Sequence, residues 1–159
     1  MNMKNHTPGL PRLALWILLI ASCSDGGGSA GPGGQKLADG YYTAEAASYN
    51  SHGWKEYLTI YVDNNNIVTV DYDAKNSGGF PRSWDMDYMR LMIAQKGTYP
   101  TAFGREYSAA LLRLQEPEGI DALTGATDSY NSFKILAATA ISQAKANDKN
   151  VALVELPGY

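Results

Sequence analysis

The chemistry of this chain is concentrated in one stretch: Ile120-Asp121-Ala122-Leu123-Thr124-Gly125-Ala126-Thr127-Asp128-Ser129-Tyr130. It offers a short apolar entry, a pair of residues with almost no side chain, and hydroxyls where a helix begins. Gly125 and Ala126 let a bulky group approach the backbone. The unpaired N–H groups of a helix start and the positive end of its dipole favour a phosphate beside Thr127 or Ser129. A plainer reading makes Thr127 or Asp128 the N-cap of the helix and nothing more. Asp128 also sets a negative charge next to any such phosphate. Two unit charges about 5 Å apart at an effective dielectric near ~20 repel by roughly 3 kcal/mol, which a covalent link tolerates better than reversible binding does.

Other chemistry-bearing residues are sparse. Cys23 is the one cysteine, and His6 and His52 are the two histidines, which excludes a disulfide framework, a Cys/His zinc site and C-x-x-C-H haem attachment. His52 lies in a turn, where a structural hydrogen bond accounts for it, and no Ser/His/Asp triad can be assembled. Asp71 with Asp73, and Asp85 with Asp87, are D-x-D pairs without an EF-hand loop; a solvated strand face and a helix start explain them, so no metal is assigned. Met86, Met89 and Met92 recur at helical spacing and read as core rather than copper ligands. Tyr41, Tyr42, Trp54, Tyr57 and Tyr61 are able to stack on a flat heterocycle, but strand packing suffices for them. Thirteen basic against sixteen acidic residues give a net charge of −3, which argues against a nucleic-acid partner.

The elements that carry these residues follow from periodicity. Tyr41–Ala47 mixes aromatic and small residues and follows the turn signal Asp39-Gly40. Residues 54–72 read as a hairpin around Asn64-Asn65-Asn66. Trp54, Glu56, Leu58, Ile60 and Val62 share one face; Lys55, Tyr57, Thr59 and Tyr61 share the other. Lys75–Pro81 is a loop. Ser83 is the expected cap of a helix with Asp85 and Asp87 in its first turn, Met89, Met92 and Ile93 on its apolar side, and Lys96-Gly97 at its close. A second helix is expected over about 102–114, with Tyr107, Ala110, Leu111 and Leu112 inward. The last runs from Asp128 to Ala146 and buries Phe133, Leu136, Ala137, Ala140, Ile141 and Ala144. Val151–Leu156 returns as a short strand. Strands early and helices late predict an α+β fold: a small antiparallel sheet from the N-terminal half packed with C-terminal helices.

The N-terminus reads differently. Residues 1–12 are basic and acid-free, and Leu13–Ala21 is an unbroken apolar run, too short to span a bilayer of about 30 Å but suited to a signal segment. Ile20-Ala21-Ser22-Cys23 resembles the bacterial lipobox, which implies cleavage after Ser22 and lipid on Cys23, with two kinds of acyl chain giving a lasting membrane hold. Ser24–Lys36 is Gly-rich, has no G-x-x-x-x-G-K pattern, and reads as a tether. The expected organisation is a lipoprotein signal peptide over 1–22, a tether over 23–36 and a folded domain over 37–159. Removing 1–22 takes two of the thirteen basic residues and no acid, so the net charge moves from −3 to −5.

Asp121-x-x-Thr124-Gly125-Ala126-Thr127 resembles the D-x-x-S/T-G-A-S/T signature of FMN-binding domains. These include the flavin-bearing subunits of sodium-pumping NADH:quinone reductase and of Rnf complexes. Asp39-Gly40-x-Tyr42-Thr43-Ala44-Glu45, Ser51 to Ile60, Val70 to Asn76, Tyr99-Pro100 and Thr124 to Tyr130 look like small extracellular electron-transfer lipoproteins of that family, so the resemblance covers about 39–146. It implies that a flavin transferase cleaves FAD and leaves covalent FMN as a phosphoester on Thr127. Asp121 and Thr124 would shape the loop or assist the transferase, Gly125 and Ala126 would clear room for the phosphate, and Ser129 would stand beside it. The implied function is a lipid-anchored electron carrier, not an enzyme. It would face the periplasm or cell exterior, with membrane or extracytoplasmic redox partners. The alternative is a non-redox lipoprotein, a binding or interaction module with an unmodified helix cap at Thr127.

Overall fold

Alternation in the N-terminal half becomes three antiparallel strands. The computed structural model describes residue 1 and residues 35–157, so the expected signal segment, Cys23 and all of the tether before Gln35 lie outside the described residues. β1 (Gly40–Ala46), β2 (Lys55–Asp63) and β3 (Asn66–Lys75) are consecutive neighbours, and β2 pairs with β3 from Lys55↔Lys75 to Asp63↔Asn66. Asn64 and Asn65 both have positive φ, 50° and 65°, the backbone of a two-residue type I′ hairpin, which asparagine tolerates. Leu58, Ile60 and Val62 are buried as their alternation predicts, and so is Glu56 on the same face.

A short 3-10 turn (Arg82–Trp84) leads to α1 (Met86–Lys96) and α2 (Pro100–Leu114). α3 (Thr127–Ala146) and β4 (Ala152–Val154) complete the fold. The sheet order is β3-β2-β1-β4, with α2 packed on β3 and α3 on β1 and β2. The α+β expectation holds. One detail differs: β4 joins β1 in parallel, making the sheet mixed, because the long α3 returns the chain to the end of the sheet where β1 starts. All six residues of the expected α3 stripe are buried. The outer edge of β3 is closed at Ile67 by the side-chain amide of Gln115, which accepts from its N–H at 2.7 Å and donates to its C=O at 3.0 Å.

Three expectations about the middle helices fail. Ser83 is not a cap: it lies within the 3-10 turn, and its N–H donates to Asp73 Oδ1 at 3.2 Å. The cap is Asp85, whose carboxylate accepts from Tyr88 N–H at 2.9 Å. Second, α1 buries none of its residues. Met86 is exposed, Met89 is half-buried, and Met92 alone of the three packs against the core. The helix-covered face of the sheet is already occupied by α2 and α3. Third, Leu112 is exposed, whereas Tyr107 and Leu111 are buried as expected. Among the described residues no helix is long and apolar enough to cross a membrane.

Candidate functional site

The turn before α3 is built on tyrosines. Tyr107 on α2 reaches it with one hydroxyl that does two jobs: it accepts from Leu123 N–H at 3.1 Å and donates to Ala126 C=O at 3.3 Å. Tyr130 donates to Ile120 C=O at 2.8 Å, and Tyr72 on β3 donates to Ser129 C=O at 2.9 Å. Their rings form one cluster with Phe133: Tyr107 stacks on it at 5.3 Å and Tyr72 meets it edge-on at 5.1 Å, while Tyr130 lies 5.9 Å from Tyr107. Burial pushes the Tyr107 hydroxyl pKa up, and the Leu123 N–H draws it part of the way back. It therefore stays a neutral hydroxyl that both donates and accepts. These bonds tie Leu123 and Ala126 to α2, Ser129 to β3 and Ile120 to the first turn of α3.

Upon that frame the motif residues separate by role. Gly125 has φ +82°, and a Cβ placed there would stand 2.5 Å from Lys96 C=O. Its small size thus lets the turn pass beneath the C-terminal end of α1. Ala126 is buried in the core and is the residue preceding α3, so no side chain caps the helix. The reading of Thr127 or Asp128 as N-cap is corrected here: Thr127 is the first helical residue, and its hydroxyl is past the position from which it could cap. The first bond of the helix runs from Tyr130 N–H to Ala126 C=O at 2.9 Å. Among the described residues the N–H groups of Thr127, Asp128 and Ser129 have no acceptor, and the Thr127 hydroxyl has no partner.

Asp121, Thr124, Thr127 and Asp128 are exposed, and Ser129 is half-buried. Thr124, Gly125, Ala126, Thr127 and Ser129 share one turn at the start of α3, with three unfilled backbone donors and an exposed hydroxyl on Thr127. These donors fit a phosphoester on Thr127, since N–H groups at a helix start are matched to anionic oxygens.

The other candidates lie elsewhere. Tyr42 and Trp54 are buried, while Tyr41 stacks on Tyr61 at 4.6 Å on the helix-free face. His52 is exposed in a turn where the Asn50 side chain accepts from the His52 and Trp54 N–H groups, at 3.0 Å each. The four aspartates are separately engaged: Asp71 with Tyr57, Asp73 with the N–H groups of Ala74 and Ser83, Asp85 as cap, and Asp87 with Arg90 at 3.0 Å.

Two features went unread in the sequence. One is the tyrosine frame, whose members lie far apart in the chain. The other is an ion pair between Arg82 and Glu56 at 2.8 Å, both side chains about 95% buried, with the guanidinium 5.8 Å above Phe103. Burial alone would lower the Arg82 pKa, but the adjacent Glu56 charge more than offsets it and raises it. The signal was present: Glu56 interrupts an apolar face, and a buried carboxylate needs a cation.

Comparison with known proteins gives these residues a context. No family model matches the chain. The 15 kDa lipoprotein of Treponema pallidum (strain Nichols) is 34% identical over 139 residues, covering 87% of this chain and 92% of its own. The crystal structure of the CPE2226 protein from Clostridium perfringens superposes with a TM-score of 0.72 at 34% identity, over 76% of this chain and 98% of that one. The match to the Treponema protein spans nearly the full length of both chains, and the chain belongs to the family of that 15 kDa lipoprotein.

Proposed function

We propose that this lipoprotein is held at a bacterial membrane by lipid on Cys23, facing the periplasm or cell exterior, and carries FMN esterified to Thr127 as an electron-transfer carrier. The observation that carries the reading is the Thr127 hydroxyl: it is exposed and unpartnered in the first turn of α3, beside three unfilled backbone donors, within a sequence that resembles the flavinylation signature. The family supports the anchor, since its relative is a lipoprotein.

On this reading each residue of the turn would have a role of its own. Thr127 Oγ attacks the FMN-side phosphorus of FAD in the active site of a flavin transferase. The new bond is Oγ–P, the pyrophosphate P–O bond breaks, AMP leaves with the bridging oxygen, and the hydroxyl proton passes to a base of the transferase. The unfilled amides of Thr127, Asp128 and Ser129 would hold the phosphodiester oxygens. Tyr107, Tyr130 and Tyr72 keep those amides from moving, so that little ordering remains when the ester forms. Gly125 sets the turn, and exposed Thr124 and Asp121 are left for contact with the transferase. Once attached, FMN supplies reversible uptake and release of electrons, which the protein only positions.

The competing view is a non-redox binding or interaction module with Thr127 unmodified, although the cap position itself is taken by Ala126. The test is flavin fluorescence in a denaturing gel after production with a flavin transferase. Wild type is expected to fluoresce and Thr127→Ala to be dark. A dark wild-type band overturns the reading.

A further inference from the structure

The two edges of the sheet are finished differently. At the β3 edge Gln115 takes both backbone groups of Ile67, and α2 lies against Tyr72 C=O, 3.3 Å from where a Cβ on Gly104 would stand. At the other edge, β4 has no strand beyond it among the described residues. Val151 and Leu153 are 54% and 65% exposed there, with only Ala152 between them. No charge, proline or bulge interrupts this stretch, so the edge is open to pairing with another strand.

Backbone parity identifies the groups on offer. Ala47 N–H donates to Val154 C=O at 2.8 Å, so Val154, and Ala152 two residues before it, turn their backbone groups toward β1. Residues alternate in this respect, so the N–H and C=O of Val151 and Leu153 face the open edge. The Ala152 and Val154 side chains meanwhile pack against the core.

This edge is complementary to itself. In an antiparallel pair with a twofold axis at Ala152, Val151 of each copy lies opposite Leu153 of the other. Both are outward-facing, so each such pair exchanges both of its N–H···O=C bonds, and the exposed apolar side chains cover one another. The same register sets the Glu155 end of each strand against the Lys149 end of the other. Neither residue has an ion-pair partner among the described residues, and the Lys149 ammonium is held only by the Asp39 C=O and the Tyr42 hydroxyl, both neutral. A foreign peptide would have to match both patterns, whereas a second copy does so by symmetry. Pairing also ends there: Pro157 has no N–H to extend the ladder, and the β3 edge of each copy is closed.

We infer that β4 is the surface through which two copies of this chain associate, joining their sheets edge to edge in the register centred on Ala152. The test is oxidative cross-linking by copper phenanthroline of the full chain in dodecyl maltoside, read on a non-reducing gel and by mass spectrometry of the linked peptides. The chain without an added cysteine sets the baseline. At the axis, the Cα atoms of the two Ala152 residues would stand about 4.5 Å apart, within disulfide range, whereas Val151 to Val151 or Leu153 to Leu153 would be diagonal neighbours at about 7–8 Å. Ala152→Cys is therefore expected to cross-link at least tenfold faster than Val151→Cys, Leu153→Cys or Val68→Cys, the last exposed on β3. The double variant Val151→Cys with Leu153→Cys is expected to regain the fast rate. Leu153→Lys added to Ala152→Cys is expected to slow it at least tenfold by placing a charge on the edge. Far-UV circular dichroism verifies folding; if Ala152→Cys does not fold, the double variant, altered only at exposed positions, decides alone. Cross-linking of Ala152→Cys or of the double variant no faster than Val68→Cys overturns the proposal. So does a rate in Val151→Cys equal to that of Ala152→Cys, or one that Leu153→Lys leaves unchanged.

Discussion

At Gly125 the chain has no alternative residue. Its φ of +82° and the 2.5 Å approach of a virtual Cβ to Lys96 C=O combine backbone strain with a backbone clash. Gly125→Ala is expected to cost about 2–4 kcal/mol, read as a Tm lower by roughly 10 °C. Tyr107→Phe removes a hydroxyl and leaves the Leu123 N–H without its acceptor. A loss of about 1–3 kcal/mol in urea unfolding is expected, with slower flavin attachment to Thr127 in a chain that still folds. At this scale the sequence marks out the candidate motif but not how its turn is held. Thr124, Gly125, Ala126 and Thr127 stand adjacent in the chain and announce themselves. Tyr72, Tyr107 and Tyr130 meet only in three dimensions, and tyrosine occurs eleven times here, so none stands out.

Elements were readable where their periodicity was strong. The hairpin appeared from alternation and paired asparagines, and α3 from its apolar stripe. α1 was misread because methionines at helical spacing look like a core stripe, whereas burial depends on whether any surface is left to pack against. With no residue buried, α1 is expected to exchange its amide hydrogens at least tenfold faster than the middle of α3, measured by mass spectrometry. Just before α1, Arg82 is paired with Glu56 in the core. Breaking its pair alone, in Arg82→Met, is expected to cost about 3–5 kcal/mol, since Glu56 is left charged and buried. The double variant Glu56→Leu, Arg82→Met is expected to recover most of that loss. Additive losses in the double variant would contradict the role given to the pair.

For the whole molecule, charge and attachment set the behaviour. Burial tends to raise the Glu45 pKa, but bonds and charges from Lys55 at 2.6 Å and Lys75 at 2.8 Å outweigh it and leave the pKa lowered. A lowered carboxylate contributes stability that is complete above its unfolded value and is lost as pH falls through the folded one. Glu45→Gln is therefore expected to flatten the fall in Tm between about pH 5 and pH 3. On the proposal that lipid on Cys23 holds the protein at the membrane, Cys23→Ala is expected to move it from the membrane fraction to the soluble one. The account as a whole turns on what Thr127 carries. Intact and peptide mass spectrometry of the full chain, made alongside a flavin transferase, should show a gain of one FMN less one water on the peptide containing Thr127. That gain should be lost in Thr127→Ala and kept in Thr124→Ala. An unmodified wild-type chain, or FMN found on Thr124 or Ser129 instead, would contradict it.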